Sequence, residues 1–424
     1  MSSSIVFAPK PDNIFRSHID EYYERTKEVC PRLEAICGKW EFEDLIPGLS
    51  DFDTRFFFSD DVLPEQWPVI SRAVGKVHAD ICREDPGRAR ILEHLPGINL
   101  KWSEALEASS FYPEFKQWTI YRAPDNKQAD FEQYLESRPW DEVEELFNVR
   151  KFSLYFTPYD RTIDPPINLK EYENKYPLHS RIMHYFCPPL QSAVCLKLKK
   201  MVRGKTESFR LARDLFPHGE VIDLVLDIIG RHYEVPEYYA EPRLYEFETM
   251  LFEYLRDVLR IIQPDITVIE ASPDDTSKDL KEKLSHVTVG VWNRFFDGAK
   301  FCRLMMGRLN FYAEEIPHFD SIWLIKNEIN RIRRLFFETT FSAFGMIMWG
   351  VEMSAGEALD RCRNEFITEQ EYAAVKAYAD VFGKWYDESA VKTYACEIAD
   401  TIGPFQIVLD KLIPVVNSKI HEQT

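Results

Sequence analysis

The sequence predicts an α+β protein: a small mixed sheet with helices packed against it, followed by a large all-helical region. Two observations lead to this prediction. Helix and strand patterns alternate within the first 120 residues, whereas beyond about residue 140 the strand signal thins and helical periodicity continues. The chain has 424 residues, of which 45% are hydrophobic. It is therefore long enough for two domains with substantial cores.

The first strands are expected close to the N-terminus. A helical pattern follows Asn13, and a short strand is expected over residues 35–40. The next loop carries the turn signal Pro47-Gly48. Residues 52–58 are rich in aromatic side chains that favour strands, without a clear alternation. This pattern predicts a strand that is covered on both faces.

A helix and two further strands complete the predicted head. Pro64 opens a helical pattern that continues to about residue 83. Residues 98–106 alternate as a strand, which would place Glu104 on the same face as the apolar side chains of Ile98, Leu100 and Trp102. Residues 115–123 predict another strand. The later helical segments are 188–203, 207–216, 219–233, 242–262, 276–287, 292–312, 320–349, 368–386 and 388–413.

The domain boundary is expected in the proline-rich stretch 158–178. This position divides the chain into a head over residues 1–150 and a helical domain over residues 151–424, which could contain two sub-bundles.

Charge and composition narrow the classes of function. The net charge of −18 repels a phosphate backbone, which makes a nucleic-acid partner unlikely, and a small, even cationic, partner is easier to accommodate. None of the eight cysteines shows C-x-x-C spacing, so we expect reduced packing residues of a cytoplasmic protein. The longest apolar run, 341–351, is too short to cross a bilayer, so no membrane partner is expected.

The candidate site is the pair Asp51 and Asp53 at the start of the aromatic strand. Residues two apart in a strand point to the same face, so the two carboxylates lie side by side while Phe52 enters the core. Adjacent like charges repel, and a divalent hard cation such as Mg²⁺ is the usual counter-charge. The alternative is a pair of solvated aspartates at a loop-to-strand junction.

Together with Ile36-Cys37-Gly38 upstream, the pair resembles the signature of the nucleotidyltransferase superfamily, which includes DNA polymerase β and the aminoglycoside nucleotidyltransferases. That signature is a hydrophobic residue, Gly-Gly or Gly-Ser, a loop of about ten residues, and Asp-hydrophobic-Asp or Glu in a strand. The resemblance covers about residues 13–123. It implies transfer of a nucleoside monophosphate, by default AMP from ATP, to a hydroxyl of a small-molecule acceptor, with two Mg²⁺ ions.

The resemblance also implies roles for individual residues. Asp51, Asp53 and a third carboxylate would be the catalytic residues and metal ligands, and Glu104 is the best match for the third. Its rivals are Glu107 and Glu114. The residues that would hold the triphosphate are Gly38, Lys39, Ser50, Lys197 and Lys200, with Lys205 as a further possibility beyond Gly204.

Two features leave alternatives open. Lys39 stands where the family has Ser or Gly, which supports the alternative of a catalytically degenerate nucleotide-binding or regulatory module. The basic cluster 197–205 either reaches the phosphates or forms a favourable helix C-terminus. An RNA or protein acceptor is the other enzymatic alternative, and the acidic composition makes RNA the weaker choice.

Overall fold

The computed structural model describes residues 14–39, 41–45, 51–107, 112–155, 181–231, 241–272, 274–287, 291–317, 319, 321–383 and 387–423. Three features discussed above fall outside these residues: the Pro47-Gly48 turn, Ser50 and the boundary stretch 158–178. They stay predictions.

Four strands form one mixed sheet in the order β3-β2-β1-β4. β1 is antiparallel to both β2 and β4, whereas β2 and β3 are parallel. The small mixed sheet predicted from the sequence is confirmed, together with the large helical region that follows it. The strands are β1 (Leu33–Gly38), β2 (Thr54–Phe58), β3 (Leu100–Lys101) and β4 (Thr119–Arg122).

The sheet is covered on both faces, as the aromatic content of β2 predicts. Phe56 and Phe58 lie in one core with helices α1 (Ile14–Val29) and α2 (Trp67–Glu84). Phe57 points to the opposite face, because successive strand residues alternate. There it joins a second core, whose other aromatic members are Trp102, Phe115, Trp118 and Phe131.

The strand predicted over residues 98–106 is wrong for most of its length. Only Leu100–Lys101 pairs with β2, and the chain then turns into a short helix, α4 (Trp102–Leu106), after the earlier short helix α3 (Gly87–Ile91). The Glu104 carboxylate accepts a hydrogen bond from the Lys101 amide at 2.9 Å. This contact satisfies a backbone donor at the helix N-terminus. Apolar residues at every second position predicted a strand here. The chain instead forms a short helix, whose start the Glu104 carboxylate stabilises.

The remaining helices pack into two groups. Buried side chains between residues 146 and 287 form a core of their own, whereas those between 295 and 420 share the core of α1, α2 and one sheet face. The helices are α5 (Asp125–Ser137), α6 (Glu142–Tyr155), α7 (Cys187–Leu198), α8 (Lys205–Leu215), α9 (Gly219–Arg231), α10 (Glu241–Ile262), α11 (Ser277–Ser285), α12 (Val291–Cys302), α13 (Met305–Ala313), α14 (Ser321–Ile332), α15 (Thr340–Trp349), α16 (Ala355–Glu365), α17 (Glu369–Val381) and α18 (Val391–Gln423).

The cysteines and the apolar helices agree with expectations from composition. All eight cysteines are free thiols, and seven of them are buried, Cys396 being the exposed one. Over the described ranges, no helix combines the length and the apolar character that crossing a membrane requires.

Candidate active site

The aspartate pair lies where the chain enters β2. Asp51 and Asp53 are half-buried, and Phe52 between them is only 3% exposed. The segment after α3 runs alongside, because the Phe52 amide donates to the Ile91 carbonyl at 2.8 Å and the Gly97 amide donates to the Thr54 carbonyl at 2.9 Å. The burial of Phe52 agrees with the prediction, but β2 begins only at Thr54, and the Thr54 amide donates to the Phe52 carbonyl at 3.0 Å. Both aspartates therefore precede the strand, and the side-by-side arrangement of their carboxylates stays a prediction.

Asp51 is gathered with two residues that sequence reasoning missed. One ligand atom each from Asp51, Glu93 and His94 lies within 4.8 Å of the others. Glu93 is buried and His94 is half-buried. Two carboxylates and an imidazole at this separation could hold a divalent metal ion.

A contact between distant segments brings these two residues to Asp51. The Phe52 amide donates to the Ile91 carbonyl, and Glu93 and His94 follow directly after Ile91. No local pattern in the sequence predicts this contact, because its partners lie about forty positions apart.

A hydrogen-bond network holds the imidazole of His94. Its Nδ1 contacts the Tyr312 hydroxyl. That hydroxyl also accepts from Arg308 Nε at 2.9 Å, and another guanidinium nitrogen of Arg308 donates to Glu328 at 2.7 Å. Burial, together with nearby cations including Arg308, lowers the pKa of His94 well below its usual value. This shift favours the neutral imidazole, which is the form that acts as a ligand.

A lysine of the helical region lies within electrostatic reach of the aspartate pair. Gly204, with a φ of 74°, leads into α8. Asp44 of the head accepts hydrogen bonds from the Lys205 and Thr206 amides at 2.9 and 2.8 Å, which holds the helix N-terminus against the head. Burial lowers the pKa of the Lys205 ammonium, and the charges of Asp44, Asp51 and Asp53 act in the opposite direction. Lys205 is thus within electrostatic reach of both predicted metal ligands.

The two basic residues favoured from the sequence lie elsewhere. Lys197 forms an ion pair with Asp265 at 2.9 Å, and Lys200 is exposed. Their contacts with a triphosphate stay predictions. Lys205, from the same basic cluster, is a residue on which the charges of Asp51 and Asp53 act.

Lys39, the departure from the family pattern, belongs to a second group of charges. Its Nζ lies 2.9 Å from Glu114 Oε1, and both side chains are mostly buried. Although burial opposes the shift, Lys39, Lys151 and Arg55 lower the pKa of Glu114 to about 2. The buried Nζ of Lys151 has no hydrogen-bond partner among the described residues, and burial lowers the pKa of Lys151 to about 8.

Close packing against Tyr121 explains why position 38 is a glycine. A Cβ built at this position would lie 2.3 Å from the hydroxyl and 2.4 Å from a ring carbon of Tyr121. The Tyr121 ring is in turn held by Phe42 and Phe52, with ring centroids 4.7 and 5.7 Å away. The close approach that requires glycine is therefore that of an aromatic ring, and contact with a triphosphate stays a prediction.

Glu104, the predicted third ligand, is held by a buried arginine. Arg303 donates to both Glu104 oxygens at 2.6 Å and to Asp410 through Nε at 2.8 Å, and Arg303 is fully buried. The role of Glu104 as third ligand stays a prediction. The rivals are also engaged: Glu107 accepts from Asn417 at 2.9 Å, and Glu114 pairs with Lys39.

The carboxyl group of Asp297 in α12 has a strongly raised pKa. Burial, reinforced by the charge of Glu114 and opposed by Lys300 and Arg55, raises its pKa from the usual 3.8 to about 7. The carboxyl is half-buried. A raised carboxyl pKa means that the folded protein binds this proton more tightly than the unfolded chain.

The stability of the protein should therefore depend on the charge of Asp297. The stabilising contribution of its proton is complete below about pH 4 and is lost as pH rises through about 7. Asp297→Asn should raise the free energy of unfolding at pH 8 by up to about 4 kcal/mol and change it little at pH 4. Urea unfolding at both pH values measures this difference.

The same substitution at exposed Asp214 serves as the control for this pH dependence. An equal effect of Asp297→Asn at pH 4 and pH 8 would contradict the raised pKa.

Comparisons with protein families, with characterised proteins and with solved structures find no match to this chain. The nucleotidyltransferase resemblance therefore stands on the residues themselves.

Proposed function

We propose that the protein is a metal-dependent nucleotidyltransferase that moves AMP from ATP to a hydroxyl of a small-molecule acceptor. One observation carries the proposal: Asp51 belongs to a group of side chains that could hold a metal ion, and its charge, with that of Asp53, acts on Lys205 from the helical region. A metal site beside a lysine at a helix N-terminus suits a bound triphosphate.

Each residue of this arrangement has a task that follows from its charge. Asp51 would hold the metal together with Glu93 and His94, Asp53 would add negative charge beside them, and Lys205 would neutralise part of the triphosphate charge. When bound, the metal supplies Lewis-acid stabilisation of the charge that develops on the phosphoryl oxygens. Positioning and neutralisation account for most of the catalysis in such a reaction.

The proposed reaction joins the acceptor oxygen to the α-phosphorus of ATP. The bond between the α-phosphorus and its bridging oxygen to the β-phosphorus breaks, pyrophosphate leaves with that oxygen, and the hydroxyl proton passes to a base or to water. The family resemblance implies two Mg²⁺ ions. Among the described residues, one group of three ligating side chains is found, so the geometry supports one metal position.

The net charge of −18 favours an amine-bearing acceptor over a nucleic acid. The test incubates the full chain with labelled ATP, a divalent cation and a panel of hydroxylated amines, tRNA and protein. Release of pyrophosphate together with a labelled small molecule supports the proposal. ATP binding without pyrophosphate release for any acceptor contradicts it.

A nucleotide-binding module without catalysis is the second candidate. It is favoured by Gly38 and Lys39, because Tyr121 covers the glycine and Glu114 holds the lysine. Calorimetry with ATP distinguishes the two functions when it is read beside the pyrophosphate assay.

Replacement of Lys205 tests the nucleotide site. Lys205→Met should weaken ATP binding by about 10- to 100-fold, because a charge-assisted contact to a phosphate is worth about 1.5–3 kcal/mol. Calorimetry measures the affinity. Lys376→Met on exposed α17 is the matched control and should change the affinity by less than about twofold, since a distant exposed charge is screened.

Lys200→Met distinguishes the sequence-based prediction from the structural proposal. Weakened ATP binding in this variant, with normal binding in Lys205→Met, would show that Lys200 and not Lys205 contacts the phosphates.

A further inference from the structure

The ligand group around Asp51 contains a nitrogen donor, which the family resemblance does not imply. Asp51 comes from the entry to β2, and Glu93 and His94 follow α3. Their ligating atoms lie within 4.8 Å of one another, and His94 Nε2 is 3.7 Å from Glu93 Oε1. Metal–ligand bonds of about 2.0–2.2 Å place two ligands of one ion at comparable separations.

The imidazole is held from the side opposite to the carboxylates. Its Nδ1 contacts Tyr312, which is bonded to Arg308, and Arg308 is bonded to Glu328. All three supporting side chains are buried. Metal-binding histidines usually have such a partner on the second nitrogen, which fixes the ring orientation and the tautomer. The nitrogen left for a metal is Nε2, the one that faces Glu93.

The donor set discriminates between metals. Mg²⁺ prefers an all-oxygen octahedral shell and retains its water, whereas first-row transition metals accept imidazole nitrogen readily. We propose that Asp51, Glu93 and His94 bind a divalent first-row transition-metal ion in preference to Mg²⁺, with Tyr312 as the residue that positions His94. This inference deepens the proposed function by naming the class of its metal, and it rests on that function only for the reaction that the ion serves.

Binding of Mn²⁺ to the full chain tests the inference without reference to turnover. Electron paramagnetic resonance of free Mn²⁺, with Mg²⁺ as competitor, gives the two affinities. The wild-type chain should bind Mn²⁺ at least about tenfold more tightly than Mg²⁺. Electron spin echo modulation should show one directly bound ¹⁴N nucleus. Equal affinities, or no nitrogen coupling, would overturn the proposal.

Two variants locate the nitrogen. His94→Asn replaces it with an amide oxygen, so the nitrogen coupling should vanish and the preference for Mn²⁺ should fall by about tenfold or more. Tyr312→Phe keeps the ligand but removes its orienting partner, and should weaken Mn²⁺ binding by about 10- to 100-fold, the usual effect of such partners. Mg²⁺ binding should change less in both variants.

His218→Asn is the matched control, because His218 is exposed and has a φ of 65°, a conformation that asparagine tolerates. Unchanged Mn²⁺ preference in both His94→Asn and Tyr312→Phe would overturn the proposal, and the Tyr312 variant decides the matter if His94→Asn does not fold. Mn²⁺ binding with nitrogen coupling but no pyrophosphate release would reject the proposed function and leave this inference standing. Pyrophosphate release that is equally fast in His94→Asn, without nitrogen coupling in the wild type, would overturn this inference and leave the proposed function standing.

Discussion

Asp51→Asn is expected to lower the rate of pyrophosphate release by about 10³-fold or more, because it removes a charged ligand from the metal site at nearly constant volume. Asp51 belongs to the candidate metal-ligand group, and its charge also acts on Lys205. The substitution should also reduce the affinity for the metal. Steady-state assays with ATP, together with metal titrations of the folded variant, measure both effects.

Asp61→Asn is the control for this change, because Asp61 is exposed and its ion pair with Arg32 lies on the surface. Its rate should stay within about twofold of the wild type, as exposed pairs contribute little. A normal rate in both Asp51→Asn and Asp53→Asn would contradict the metal site.

Glu104→Gln separates the two views of the third ligand. The sequence prediction expects it to lose activity as Asp51→Asn does. The structure places Glu104 against Arg303, so the variant should lose stability and keep most of its rate per folded molecule.

Arg303→Met is expected to lower the free energy of unfolding by about 3–5 kcal/mol, because it leaves two buried carboxylates without their counter-charge. Arg303 is fully buried between Glu104 and Asp410, and its guanidinium carbon lies 4.5 Å from the centre of the Trp67 ring. It also donates to the Asn99 carbonyl at 2.8 Å, next to β3. This one side chain therefore ties α12 and its neighbours to the sheet, and urea unfolding at pH 7 measures its effect.

The same substitution at Arg363 gives the comparison, since its ion pair with Glu369 is exposed and should contribute no more than about 1 kcal/mol. Replacing Arg303, Glu104 and Asp410 together by apolar residues should recover part of the lost stability, because neither carboxylate is then left buried without the Arg303 guanidinium. Equal losses for Arg303→Met and Arg363→Met would contradict a buried ion triad.

The fold class followed from local patterns. The aromatic run of β2 predicted a strand covered on both faces, and buried Phe56, Phe57 and Phe58 confirm it. The prediction failed at residues 102–106, where alternating apolar residues also satisfy a short helix once Glu104 accepts the Lys101 amide. Periodicity over so few residues does not separate the two conformations.

The site was predictable only where its residues are neighbours in sequence. The sequence placed Asp51 and Asp53 at the entry to the aromatic strand, whereas the pairing of their carboxylates, which was argued from strand geometry, stays a prediction because both residues precede β2. Glu93 and His94 lie about forty positions away, and the hydrogen bond from the Phe52 amide to the Ile91 carbonyl brings their segment to Asp51. Lys205 is still more distant in the sequence, and the hydrogen bond from its amide to Asp44 holds the α8 N-terminus against the head.

By itself, the sequence determined the class of fold, the buried strand and the two carboxylates at its mouth, because each depends on residues a few positions apart. The tertiary structure decided which distant residues complete the site. It pairs Glu104 with Arg303 and Lys39 with Glu114, and it packs Tyr121 against Gly38. A charged side chain loses hydration when it is buried, so it must be paired with an opposite charge. Which partner lies close enough depends on how strands and helices that are far apart in the chain pack together.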